Sequence, residues 1–253
     1  MPKRNWTRQE LIVTFNLYCR TPFGRIHIRN PEIIALAEAL ERSPSAVSYK
    51  LANFSSLDPA ILGRNLSGAS HGSRLDKEVW DEFNGNWDRL AFESEQLRAK
   101  LLGTPLEADL VERVADFPEG TNREATVKVR VNQRFFRQAV IAAYGARCCI
   151  TGITHLELLN ASHIVPWRVD EPNRTNPRNG LCLSALHDRA FDRGLISFNE
   201  RLRVIISPQL SKCKDDGVAR HLLSYNDSPL LPPKSFQPDP AFLEWHRSVL
   251  FQK

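Results

Sequence analysis

Between residues 160 and 192 the chain carries two histidines and an asparagine in an order that suits hydrolytic chemistry. His163 falls in the run Ala161-Ser162-His163-Ile164-Val165-Pro166-Trp167, Asn179 opens Asn179-Gly180-Leu181-Cys182-Leu183, and His187 lies in a stretch that stops at Gly194. A neutral imidazole near pH 7 can take a proton from water, and its nitrogen is also a common metal ligand. Taken singly, a strand histidine is more often packing and a helical histidine more often surface. The order of the three carries the weight. Read as strand, loop and helix, they form a hairpin followed by a helix, which brings the three polar side chains to one cleft.

The elements around them read as an α+β chain in two folded parts. Residues 7–20 predict a helix with Thr7 as N-cap and Glu10 three places on. Residues 31–41 predict a second, opened by Pro31, and about 45–53 a third, after the break Arg42-Ser43-Pro44. Residues 62–74 are Gly- and Ser-rich and read as a surface loop, while 76–102 return to helical spacing through Trp80, Phe83, Trp87 and Leu90. Helical residues 1–102, a linker at 103–124 and a second domain at 125–253 follow from this pattern. That second domain opens on a helix at 132–146 and continues in short strands near 156–165, 181–183, 195–198 and 202–206. Asp239-Pro240 caps a final helix that docks on it.

Two resemblances sharpen this frame. Residues 34–48 resemble the helix-turn-helix units of many bacterial DNA-binding proteins, which makes Arg42, Ser45, Ser48 and Lys50 the expected DNA contacts of the first domain. The second is wider. Cys149-Ile150-Thr151-Gly152, Ala161-Ser162-His163-Ile164, Asn179-Gly180-Leu181 and His187-Asp188-Arg189-Ala190-Phe191-Asp192-Arg193-Gly194 together resemble the ββα-metal motif of the HNH nuclease family, in its bacterial restriction-endonuclease branch. That resemblance spans roughly residues 130–250. It implies a metal-dependent DNA endonuclease with His163 as general base, His187 as metal ligand and Asn179 holding the motif's loop. Phosphodiester hydrolysis needs both a base for water and a cation for the phosphorane and the departing oxygen. Many members carry Asp or His just before the base. Here that position is Ser162, a weak ligand, so water, substrate phosphate or a carboxylate such as Glu157, Asp188 or Asp192 must complete the shell. Few ligands and an oxygen-rich site point to Mg²⁺ or Mn²⁺.

Charge agrees with a polyanionic partner. The 253 residues hold 34 Lys and Arg against 29 Asp and Glu, a net charge of +5, and the excess is concentrated. Lys3, Arg4, Arg8, Arg20, Arg25 and Arg29 face Glu10 alone in residues 1–31, and residues 125–156 carry Lys128, Arg130, Arg134, Arg137 and Arg147 with no acid. Arg134, Arg137, Arg168, Arg178 and Arg189 are therefore the expected phosphate contacts near the nuclease motif. Double-stranded DNA is the expected partner; because one ββα site cuts one strand, double-strand cleavage needs two chains or two visits, and a homodimer on DNA is the expectation. Five cysteines without a Cys-x-x-Cys pair argue for reduced, buried thiols and against a structural zinc site. No apolar run reaches a membrane span and no signal-peptide core follows Met1, so the expectation is a cytoplasmic protein without a membrane partner. A DNA-binding regulator that kept the fold without activity, and a structure-specific or RNA-directed nuclease, are the alternatives.

Overall fold

The computed structural model describes residues 4–62, 72–103 and 123–253. Much of the expected surface loop and linker therefore lies outside the described residues. The chain divides into two compact units, Met1–Ala139 and Val140–Lys253. Among the described residues no helix is long and apolar enough to cross a membrane.

The first unit is helical. Helix α1, Arg8–Arg20, begins in a capping box: the Thr7 hydroxyl accepts from the Glu10 amide while the Glu10 carboxylate accepts from the Thr7 amide. Helices α2, Pro31–Ala39, and α3, Pro44–Ser55, each start with proline behind an Asn30 or Ser43 cap. Between them Glu41 takes a left-handed backbone, φ 52°, and the Arg42 amide returns to the Ala37 carbonyl at 2.8 Å. A short α4, Pro59–Leu62, precedes α5, Arg74–Phe83, and α6, Trp87–Leu102. The helical spacing over 76–102 thus belongs to two helices, parted where Asn84 is extended and Gly85 has φ 107°. Phe15 of α1 is the centre of the core, stacked on Phe54 at 4.8 Å and tilted against Trp80 at 5.0 Å.

Helix α7, Arg123–Ala143, starts well before the expected residue 132. Val127 and Val131, four residues apart and buried, extend the same apolar face one turn at a time.

In the second unit β1, Leu159–His163, pairs antiparallel with β2, Gly180–Ser184, in the register His163↔Gly180. Helix α8, Ala185–Asp192, leaves β2 directly and packs back over both strands. Strands β3, Ile196–Phe198, and β4, Val204–Ile206, form a second hairpin. Short helices α9, Pro208–Ser211, and α10, Asp216–His221, follow, and α11, Pro240–Trp245, runs into a π-turn over His246–Leu250. That turn closes on the motif. His246 stacks on Phe191 with ring centroids 3.7 Å apart and 7° between planes. Its Nε2 donates to the Phe191 carbonyl at 3.1 Å, and its Nδ1 meets the Ser197 hydroxyl at 2.8 Å. Gly194 has φ 65°, and a Cβ there would lie 1.9 Å from the Leu250 carbonyl oxygen, so only glycine lets the turn approach.

Candidate active site

The end of β1 presents His163 beside a loop built to hold it. Its Nε2 donates to the Arg174 backbone carbonyl at 2.8 Å, which in the neutral ring puts the basic lone pair on Nδ1. The ring meets Trp167 edge-on, centroids 5.5 Å apart, and the Arg174 guanidinium lies 5.1 Å from the same indole. Burial pushes the imidazole below its usual value; the Arg174 carbonyl and the Asp188 carboxylate act in the opposite direction. His163 is therefore neutral near pH 7 and able to accept a proton.

Asn179 is fully buried and works as a staple. Its Oδ1 accepts from the Val165 amide at 2.8 Å, and its Nδ2 donates to the carbonyls of Val165 at 3.0 Å and Asn173 at 3.3 Å. Its own carbonyl accepts from the Ile164 amide at 3.0 Å. The residues after His163 are thereby tied to the turn before β2.

From α8 come two different faces. Asp188 accepts from Asn160 Nδ2 of β1 at 2.7 Å, and its charge reaches His163. Asp192, one turn further, has its carboxyl pushed up by desolvation and by Asp188. His187 points elsewhere: Nδ1 meets the Ser184 hydroxyl at 2.8 Å, and the ring lies edge-on to Tyr225 at 5.3 Å. Ser184 consequently makes no helix cap with its side chain. Burial lowers the His187 imidazole, against the nearby His221 backbone carbonyl and aided by the His221 ring. Its Nε2 and the hydroxyl of Ser162 are buried without a hydrogen-bond partner among the described residues.

The expected DNA contacts separate into two kinds. Arg42 and Lys50, expected as DNA contacts, both make ion pairs within the first unit. Arg42 pairs with Glu10 at 3.0 Å, donates to the Asn5 carbonyl at 2.7 Å, and lies 4.0 Å above Trp6. Lys50 is buried on Asp76 at 2.8 Å, with Asn53 donating to the same carboxylate at 2.8 Å. A cation this far inside needs its partner, so neither charge is available to a phosphate. Ser45 is exposed and Ser48 half-buried, and Tyr49 beside them is 52% exposed. Arg134 is half-buried and Arg137 exposed on α7. Arg168, Arg178 and Arg189 are exposed, Arg178 sharing its charge with Asp239 at 3.2 Å. The sequence reading passed over Asn160, Ser184 and Tyr225; polar or aromatic residues flanking a motif histidine were the only signal for them.

A half-buried histidine is thus held by a backbone carbonyl at the end of a hairpin covered by one helix. Residues 148–199 match the family model of the HNH endonuclease. The matched stretch runs from Cys148 through β1, β2, α8 and β3, so the HNH-like domain contains His163, Asn179 and His187. No curated protein matches the chain.

Within this HNH domain the thiols serve the backbone. Cys148 Sγ accepts from the Thr151 amide at 3.4 Å and the Ser184 amide at 3.2 Å. Among the described residues no group of three or more His, Cys, Asp or Glu is arranged around a metal ion. The donors that fit one are His187 Nε2, a buried imidazole nitrogen whose other nitrogen is already oriented by a hydroxyl, and, more weakly, Ser162 Oγ. So few protein donors suit a hard cation that keeps water and phosphate oxygens in its shell.

Proposed function

We propose that this protein is a metal-dependent DNA endonuclease that hydrolyses phosphodiester bonds, acting in restriction or defence. The observation that carries the reading is the His163 clamp inside the HNH domain: Nε2 held by Arg174 at 2.8 Å, neutral by burial, with Nδ1 as the basic atom. In this reading Nδ1 takes a proton from the water whose oxygen bonds to phosphorus, the bond to the 3′ oxygen breaks, a solvent water protonates that oxygen, and Nδ1 returns its proton to solvent. His187, with Ser162 as a weaker donor, would hold Mg²⁺ or Mn²⁺, which would supply charge stabilisation for the phosphorane and the leaving oxygen. Asn179 keeps the loop rigid enough for the base to stay in line. Asp188, hydrogen-bonded to Asn160, adds negative potential that favours the imidazolium as it forms. Asp192, one turn beyond Asp188, is the weaker candidate carboxylate for completing the metal's shell.

Arg137, Arg168 and Arg189 are the phosphate contacts this reading retains, together with Ser45 and Ser48 on α3 as the polar face toward DNA. Two chains act on one duplex, each cutting one strand. Plasmid cleavage with Mg²⁺ or Mn²⁺, with and without EDTA, tests the reading beside His163→Ala. Cutting that needs the metal and His163 supports it; no cutting of any plasmid, methylated or hydroxymethylated included, overturns it. Sedimentation of the protein on a duplex tests the dimer. A DNA-binding protein of the same fold without activity is the competing reading, favoured by Ser162 at the position before His163. DNA binding with no metal-dependent cleavage is its signature.

A further inference from the structure

The nuclease reading leaves a second cavity unexplained. Helices α1, α2, α6 and α7 of the first unit enclose a cleft of about 160 Å³. At its wall lies Arg20, whose Nη1 donates to Gln138 Oε1 at 3.3 Å and whose Nε is buried with no hydrogen-bond partner among the described residues. No carboxylate among them makes an ion pair with Arg20. Burial pulls its proton affinity down, Glu95 and Glu32 raise it, and Arg98 and Arg134 lower it further. Among the described residues Arg20, Arg98 and Arg134 line the cleft with Glu32 and Glu95, and Glu95 pairs with Arg98 at 3.6 Å. Leu17, Leu36, Leu101 and Leu102 supply the apolar part of the lining, and Asn16, Ser94 and Gln138 add polar groups.

A desolvated guanidinium with an orphaned N–H is costly unless an anion meets it. A cavity of about 150 Å³ is large enough for a benzene-sized body. We propose that this cleft is a binding site for a small organic anion, a carboxylate or phosphate monoester on a ring-sized apolar body, with Arg20 as its anchor. The anionic head meets Arg20 with Arg98 and Arg134 around it, and the body lies against the leucines. The site is distinct from the HNH domain, so its ligand acts on the helical unit rather than on the cleavage chemistry.

Calorimetry and thermal unfolding of the full chain test this with four ring-sized probes: benzoate, phenyl phosphate, benzyl alcohol and benzylamine. The expected result is saturable one-to-one binding of benzoate or phenyl phosphate with a raised melting temperature, and at least tenfold weaker binding of the neutral and cationic probes. The stronger of the two anions tells a carboxylate site from a phosphate site. Arg20→Met is expected to raise the melting temperature of the ligand-free protein and to weaken anion binding at least tenfold. Ala39→Phe, which fills the cleft, is expected to lose anion binding while Arg20 remains, and decides the matter if Arg20→Met does not fold. Failure of both anions to bind at millimolar concentration, equal binding of benzyl alcohol, or undiminished binding by either variant overturns the proposal.

Discussion

His163 Nε2 lies 2.8 Å from the backbone carbonyl of Arg174, a residue 11 positions downstream and itself packed over Trp167. The loop after β1 therefore returns to orient the ring at β1's end. A backbone acceptor cannot be removed by a side-chain substitution, so the ring orientation is set by how the loop is held, and Asn179 holds it.

The pH dependence of cleavage follows. Burial depresses the His163 imidazole below its ordinary 6.5, so the neutral form predominates at neutral pH. Cleavage should therefore be insensitive to His163 titration on the alkaline side of neutrality and fall on the acid side, as the ring takes a proton. His163→Ala should lower the rate by about 10²- to 10⁴-fold and remove that acid limb. Wild-type cleavage halved between pH 8 and 7 by one group would contradict this assignment.

Lys50 and Arg42 should matter to stability and not to DNA. Lys50→Ala leaves the Asp76 carboxylate buried without its cation, a change that costs about 3–5 kcal/mol. Denaturant unfolding measures the loss. Lys50→Met with Asp76→Leu should recover most of it, because the pair is removed together. A drop in DNA affinity without a drop in stability would return Lys50 to the interface.

Arg25 and Arg29, between α1 and α2, are among the exposed basic residues of the first unit. If they grip phosphates, the double variant Arg25→Ala, Arg29→Ala should reduce the slope of log affinity against log salt by about 2. Binding titrations from low to moderate salt read this directly, and an unchanged slope removes the loop from the DNA face.

His246 sets an acid limit on the second unit. Burial lowers its imidazole from 6.5 to about 4, against the hydrogen bond to Phe191. The unfolded chain binds this proton below pH 6.5 and the folded chain refuses it until about pH 4. Stability is therefore fully present above 6.5 and falls by about 3 kcal/mol as pH descends through that window. His246→Phe keeps the stack on Phe191 but should flatten this part of the stability–pH curve while lowering its plateau. An unaltered slope in the variant would exclude His246 as the source.

Local chemistry was legible in the sequence, and distant pairing was not. Thr7 with Glu10, Pro31, and Asp239-Pro240 start helices where their own neighbourhoods require it. The hairpin and α8 followed from strand, turn and glycine signals within about thirty residues. The break between α5 and α6 was hidden because Trp80, Phe83, Trp87 and Leu90 keep helical spacing across Gly85 and are all buried. Arg42 and Lys50 looked like surface cations because their partners, Glu10 and Asp76, stand 32 and 26 residues away. The Arg174 carbonyl had no signal at all: every residue type carries one.

The clasp formed by His246 has a bearing on synthesis. His246 follows its partner Phe191 by 55 residues. A ribosome releases the chain from its N-terminal side, so the hairpin and α8 emerge while their clasp is still unmade. In that interval nothing stacks on Phe191 from this side and nothing meets the Ser197 hydroxyl. The nascent hairpin and helix thus wait for a late segment before they are locked, and a product cut short before residue 246 would carry the HNH-matched residues without that closure.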